Sequence, residues 1–417
     1  MLTNAGVWSP DARWLVYDTR STSDGSVFDG TRIERVECET GRVETLYESR
    51  HGARCGVVTS SPVDDRVVFI LGPEHPTADW QYGPARRQGV VVDTARPGVA
   101  EPLDARDLVS PFTPGALRGG SHVHQFSGDG RLVSFTYEDA VLEAAPAGGP
   151  QEQSLRCVGV AVCGRSVAVP RSHPRNHDGS AFSVCVTRLR DEPMPGTDEI
   201  MRSYEEAWVG TVGYIRGDGT RQRYALACQG LVRSRTGDSR SEVFLVDLPD
   251  DPRALEVAGD APLTGTSLTR PAAPRGVLQR RLTRTDDRRY PGLQGPRHWL
   301  RSCPDGSLIA CLMRDDDGRV QLFAVETVTG RLRQITRDPW DVASAFSWSP
   351  DGGRIAYIAD ASVMTVDTSS GRSRRLTPRT AAATAPRPEA CVFSPDGRSI
   401  AYMRTLTHNQ LFVVEAG

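Results

Sequence analysis

The chain has 417 residues, 38% hydrophobic and 24% charged, with 40 Gly, 29 Pro and a formal charge of −2. That balance excludes a disordered segment and a small single sandwich, and near-neutral charge excludes a nucleic-acid binder, which needs a basic face to neutralise phosphates. All 50 residues counted as Lys+Arg are arginine, which removes Schiff-base, P-loop and Ser-Lys chemistry outright.

The opening Met1-Leu2-Thr3-Asn4-Ala5-Gly6-Val7-Trp8 lacks a basic stretch followed by an apolar one, and nowhere do 18 consecutive apolar residues occur. No export signal or membrane span is expected, and the chain reads as cytoplasmic. Trp8-Ser9-Pro10-Asp11 then precedes the apolar run Trp14-Leu15-Val16-Tyr17, Ser61-Pro62-Val63-Asp64 precedes Val67-Val68-Phe69-Ile70, and Ser127-Gly128-Asp129-Gly130 precedes Leu132-Val133-Ser134-Phe135. Region 170–283 holds five strand candidates, 180–188, 207–215, 221–232, 241–247 and 279–283, enough for one four-stranded unit plus an extra strand. Within it, 197–206 follows Pro195-Gly196 and reads as a short capped helix, and the Pro- and Gly-rich stretch 250–278 reads as a long surface loop.

The C-terminal third repeats openly: Ser302-Cys303-Pro304-Asp305-Gly306, Ser349-Pro350-Asp351-Gly352 and Ser394-Pro395-Asp396-Gly397, with prolines 46 and 45 residues apart. Each turn is followed by two short apolar runs, the first being Leu308-Ile309-Ala310, Ile355-Ala356-Tyr357 and Ile400-Ala401-Tyr402. Each copy is an antiparallel meander of about four strands, and such units bury both faces only by stacking radially. The expected fold is therefore all-β, a seven-bladed β-propeller with eight blades as the alternative, one domain over 1–417 with an irregular, insert-bearing region at 170–283. The last copy ends at Gly417 without a Leu-Thr strand while the chain opens with Leu2-Thr3, so the N-terminal strand is expected to join the last blade and close the ring.

Nine scattered cysteines without a C-x-x-C pair suggest neither a disulfide framework nor a thiolate zinc site. Cys157, Cys163, Cys185, Cys228, Cys311 and Cys391 sit among apolar neighbours and read as small core residues in a reducing compartment.

In a propeller, the segments joining one blade's outer strand to the next blade's inner strand deliver side chains to one mouth of the channel. Those junctions read as His51-Gly52-Ala53-Arg54, Ser121-His122-Val123-His124, His173-Pro174-Arg175-Asn176-His177-Asp178, Glu205-Glu206-Ala207-Trp208, Gln294-Gly295-Pro296-Arg297-His298-Trp299, Asp341-Val342-Ala343-Ser344 and Arg387-Pro388-Glu389, and they hold six of the eight histidines. His122-x-His124 at strand spacing places both rings on one face, and with His298 and Gln294 they make a candidate divalent site for manganese, zinc, iron or nickel. Without a metal, His173, His177 and Glu206 with Arg54 and Arg297 form an acid–base set, in which arginine clamps an anion or holds a loop carbonyl. His51, Arg175, Trp208, Trp299 and Glu389 are candidate substrate contacts, the tryptophans stacking on a sugar or packing between blades. Gly-x-Ser-x-Gly, His-Glu-x-x-His and G-x-G-x-x-G are missing, so no nucleotide cofactor is expected. Asp315-Asp316-Asp317-Gly318 reads as a solvated turn.

The Ser-Pro-Asp-Gly elements resemble the repeats of TolB-type propellers. The fuller pattern, with Gly72-Pro73-Glu74-His75-Pro76, Ser121-His122-Val123-His124-Gln125-Phe126, Tyr204-Glu205-Glu206-Ala207-Trp208 and Tyr290-Pro291-Gly292-Leu293-Gln294-Gly295-Pro296-Arg297-His298-Trp299, resembles a family of uncharacterised bacterial TolB-like proteins over nearly the whole chain. In architecture the chain is similar to oligogalacturonate lyases, cytoplasmic seven-bladed propellers whose central site holds manganese through histidines and a glutamine. That resemblance implies a type of site: an intracellular enzyme, with or without a divalent metal, performing lyase-like elimination or isomerisation on a small anionic or carbohydrate-like substrate. The alternative is a non-catalytic TolB-like ring that binds a protein or peptide.

Overall fold

The repeated turn is built by the same bonds each time. In Ser394-Pro395-Asp396-Gly397 the Ser394 hydroxyl donates to Asp396 at 2.5 Å and accepts from the Ser399 N–H at 3.0 Å, and Gly397 turns the chain at φ +72°. Only glycine enters that left-handed region without strain. Ser9, Ser127 and Ser349 make the same pair of contacts.

The computed structural model describes residues 1–3, 5–146, 148–296 and 299–417. The meanders form seven antiparallel blades around a central channel. Blade 1 holds Trp14–Asp18, Arg32–Glu37 and Val43–Glu48, with Trp8 bridged to Leu15 on its inner side. Blade 2 is Cys55–Ser60, Arg66–Leu71, Gln88–Asp93 and Ala100–Pro102, and blade 3 is Gly119–Phe126, Leu132–Asp139, Cys157–Val167 and Gly179–Cys185. Blade 4 is Ser203–Trp208, Tyr224–Arg233, Ser239–Leu248 and Leu278–Arg281. Blades 5 and 6 follow the clear repeats, Arg301–Ser302, Leu308–Arg314, Val320–Glu326 and Leu332–Gln334, then Ser347–Trp348, Arg354–Ala359, Ser362–Asp367 and Ser373–Arg375. Blade 7 is Pro386–Phe393, Ser399–Thr405 and Asn409–Glu415.

Strand alternation explains how the blades hold together. In blade 6, Ile355, Tyr357 and Ala359 pack against Leu322 and Ala324 of blade 5, while Ala356 and Ile358 pack against Cys391 and Ile400 of blade 7. Every gap between neighbours is filled this way, including the seam between the last and first blades, where Val392, Ala401 and Met403 meet Leu2, Trp8 and Leu15. The five strand candidates of 170–283 divide as expected: the first completes blade 3 and the others contribute to blade 4.

Two local expectations are corrected. Blade 7 stops at three strands, and residues 1–3 are not its fourth: Met1 exchanges backbone hydrogen bonds with Asp18 of blade 1, while the Leu2 N–H points to the sulfur of Met403. The N-terminal segment reaches the last blade as a plug between two sheets. The stretch 197–206 is no helix; it is irregular backbone up to Arg202 and the innermost strand of blade 4 from Ser203, because pairing with Tyr224–Arg233 supplies its backbone partners. The segment 250–278 is the expected surface loop, largely exposed and anchored on blade 3 by Arg118, which is fully buried against Asp139 and donates to the carbonyls of Thr266 and Thr269.

Candidate functional site

Three segments meet in a cleft of about 400 Å³ beside blades 2 and 3. The first, 72–87, joins the second and third strands of blade 2; the second carries Arg106 on the way to blade 3; the third is the hairpin 168–178 between the outer strands of blade 3. Their side chains converge as His75, Trp80, Arg106, Arg175 and His177, with Glu74 as the one lining carboxylate among the described residues. Asn176 pins the hairpin, donating to Asp107 at 3.0 Å and Pro170 O at 2.9 Å and accepting from the Leu108 N–H at 3.0 Å. Backbone exchange between Arg106 and His177, at 2.9 and 3.2 Å, ties it to the second segment.

Trp80 is the centre of this group. The guanidinium carbons of Arg86, Arg106 and Arg175 lie 5.4, 5.7 and 6.0 Å from its ring, and the His173 ring lies 6.3 Å away. Arg175 is held by the carbonyls of Glu74 and His75 at 2.7 and 2.9 Å. His51 stacks on His75 at 4.2 Å at the exposed edge.

The two hairpin histidines are oriented differently. The Nδ1 of His177 lies 3.2 Å from the Asp178 carbonyl, which can only accept, so the proton sits on Nδ1 and Nε2 keeps its lone pair. The Nδ1 of His173 accepts from the Arg175 N–H at 3.1 Å, so its proton sits on Nε2. Burial, then the charge of Arg106, pushes the His177 imidazole down to about 3, and partial burial with Arg175 and Arg106 lowers His173 as well. The His177 Nε2 and the Trp80 Nε1 are both buried and have no hydrogen-bond partner among the described residues.

Behind the cleft lies a buried relay. Asp104 accepts from the Gly89 N–H and from the Ser121 hydroxyl, both at 3.0 Å, and the Ser121 oxygen lies 3.0 Å from the His124 Nε2. Burial pushes Asp104 up to about 6 against the pull of Arg106. A Cβ on Gly89 would stand 2.6 Å from the His124 Nε2, so only glycine admits this approach.

A protein family described as a protein of unknown function, DUF3748, matches residues 54–177. The uncharacterized protein YidR of Escherichia coli (strain K12) is 45% identical over 417 residues, 100% of this chain and 94% of that protein. The chain belongs to the YidR family. Among solved structures, a puromycin hydrolase matches 96% of this chain at 13% identity and a TM-score of 0.56, and the chain spans about half of that hydrolase's length, 50%. Oligogalacturonate lyase from Vibrio parahaemolyticus matches over 100% of this chain and 90% of its own at 8% identity and a TM-score of 0.54. Both likenesses concern the fold. Among the described residues no helix is long and apolar enough to cross a membrane.

In this YidR-family propeller the matched stretch 54–177 contains every cleft side chain named above except His51. Of the residues singled out from sequence, His51, His173, Arg175 and His177 come together here. The address differs from the expected one, because 173–178 is a hairpin within blade 3, while 121–124, 205–208 and 387–389 lie inside innermost strands. Arg54 is exposed, donating to Phe28 O at 3.4 Å beside Tyr82. Glu206 is buried between blades 3 and 4, accepting from Thr136 at 2.9 Å. Trp208 donates to Gln125 O at 2.9 Å across those blades; Trp299 is buried under Arg301, whose guanidinium carbon lies 5.4 Å from its ring; Glu389 is gripped by Arg387 at 2.7 Å.

Of the expected metal set, His122, His124 and Gln294 are among the described residues. Val123, at φ +58°, forms a bulge between His122 and Gln125 that breaks the alternation assumed for His122 and His124. Gln294 is engaged in blade 5, accepting from Arg314 at 2.8 Å and donating to Pro291 O at 3.0 Å. Arg297 and His298 lie outside the described residues. No group of three or more His, Cys, Asp or Glu is arranged to hold a metal ion among the described residues. Trp80, Arg106, Asp104 and Ser121 were not singled out; the 16-residue connection between Leu71 and Gln88 was the available clue, since long loops in compact folds carry function.

Proposed function

We propose that the cleft binds a small anionic, carbohydrate-like molecule and performs acid–base chemistry on it, as a lyase-like elimination or isomerisation. The observation that carries this reading is the convergence of a lone-pair imidazole nitrogen, His177 Nε2, and an unpartnered indole N–H, Trp80 Nε1, beside the guanidiniums of Arg106 and Arg175. Arg175 takes the anionic group, and Trp80 offers an apolar face to a sugar ring. His177 Nε2 accepts a proton and His173 Nε2–H returns one to the leaving or rearranged oxygen. An anion seated beside Arg106 offsets the charge that lowers His177 and so moves its imidazole toward the range useful to a base. No step here passes through a metal ion. A cytoplasmic location belongs to the same reading, because it rests on the sequence alone.

Calorimetric titration of the purified chain with galacturonate, its dimer and the matched neutral sugar tests this. The expected result is binding of the uronates, little heat from the neutral sugar, and at least tenfold weaker binding in Arg175→Ala, about 1.4 kcal/mol. His177→Ala should bind within a few-fold of the parent but fail to release an unsaturated or isomerised product. Equal binding by Arg175→Ala, or none by the parent, would remove the reading.

A further inference from the structure

We propose that Cys157 and Cys185 are a modification site, a dithiol that closes to a disulfide and cross-links the two outer strands of blade 3, whose connecting segment bears His173, Arg175 and His177. The two sulfurs lie 3.2 Å apart. Cys157 opens the third strand of blade 3 and Cys185 ends the fourth, so the pair stands at the end of that strand pair opposite the 168–178 connection. The register sets Gly159 opposite Cys185, and Cys157, two residues before Gly159, projects on the same face. Gly159 carries no side chain to fill the intervening space, and a Cβ there would stand 2.4 Å from Phe135. Among the described residues no other two cysteines are in contact of this kind. A disulfide has sulfurs about 2 Å apart, so closure shortens this contact by about 1 Å.

The balanced reaction needs a two-electron oxidant of the peroxide class. The Cys157 thiolate attacks hydrogen peroxide, breaking the O–O bond to give a sulfenic acid and, with the released proton, water. The Cys185 thiol then attacks that sulfur, forming the S–S bond and expelling a second water; two thiols are oxidised and one peroxide is reduced. Cys157 is 6% exposed and Cys185 1%, which makes Cys157 the entry point. The hydrogen bond between the thiols and their burial hold Cys157 well above the usual thiol range, so closure is slow at neutral pH.

Full-length protein, reduced and then freed of reductant, is treated with hydrogen peroxide, capped with a maleimide and digested with trypsin for mass spectrometry. The expected product is peptide 157–165 joined to 176–188, with two of the nine thiols lost and recovered by dithiothreitol. Cys163 shares the first peptide, so Cys163→Ala must keep the link, while Cys157→Ala and Cys185→Ala must each lose it. The oxidised parent should melt higher and exchange amide hydrogens more slowly across 157–163 and 181–185 than the reduced protein, a difference absent from the two variants. Retention of all nine thiols, or a link that survives Cys157→Ala, overturns the proposal.

Discussion

Glu206 stands out in sequence as a charged residue beside a channel, yet its carboxylate is sealed between two sheets. Its Oε2 accepts from Thr136 at 2.9 Å and its Oε1 has no partner among the described residues. Burial pushes the group up to about 7, with Glu205 adding to the shift, while the buried Arg301 interacts electrostatically with both carboxylates. The folded protein therefore holds a proton that the unfolded chain releases above the ordinary value of 4.5. Stability is unaffected by this group below that pH, falls as pH rises toward 7, and levels off above it. Glu206→Gln removes the titration and should be more stable than the parent at pH 8 by up to roughly 3 kcal/mol, with the gap closing near pH 4. Urea unfolding at the two pH values checks this, and parallel curves would contradict it. Residue type alone marked Glu206 and passed over Trp80, because chemistry-bearing letters carry no information about which side of a strand faces solvent.

At the scale of the element, turns were legible and bulges were not. The Ser-Pro-Asp-Gly turns are local, each closed by bonds within five residues, so the sequence pattern and the hydrogen bonds coincide. Blade 5 replaces the serine with Cys303, whose sulfur donates to Asp305 at 2.7 Å and accepts from the Leu308 N–H at 3.1 Å. Sulfur is the weaker partner in both roles. Cys303→Ser should therefore raise stability by about 0.5–1 kcal/mol, read as a higher melting temperature with one fewer titratable thiol. The inner strands of blades 2, 3 and 4 each carry a bulge with one residue at positive φ, Val57, Val123 and Glu205 at +56°, +58° and +55°. Valine is among the least suited residues for that conformation, so nothing in the letters announces it. Those bulges help decide where His124 and Glu206 point, while Trp80 and Arg106 come from connections whose course no repeat announces.

Seven similar sheets make a ring only if the last meets the first, and among the described residues no shared strand fastens that seam. The tryptophans show how the molecule manages. Trp208 of blade 4 donates to Gln125 O of blade 3 at 2.9 Å, Trp348 of blade 6 to Arg301 O of blade 5 at 2.9 Å, and Trp8 of blade 1 to Val392 O of blade 7 at 3.1 Å. Each indole pins an inner strand to that of the preceding blade. Two of these pins join blades already linked by the chain, whereas the third joins residues 384 positions apart. Losing one leaves a carbonyl without its partner at a cost of about 1–2 kcal/mol. Trp348→Phe and Trp8→Phe should cost similar amounts in chemical denaturation. Only Trp8→Phe should speed hydrogen exchange across blade 7, residues 386–415, because only there does the pin act without a covalent connection beside it. If exchange in blade 7 rose equally in both variants, the seam would be held by its apolar plug of Met1, Leu2 and Met403 and the indole bond would add nothing specific to it.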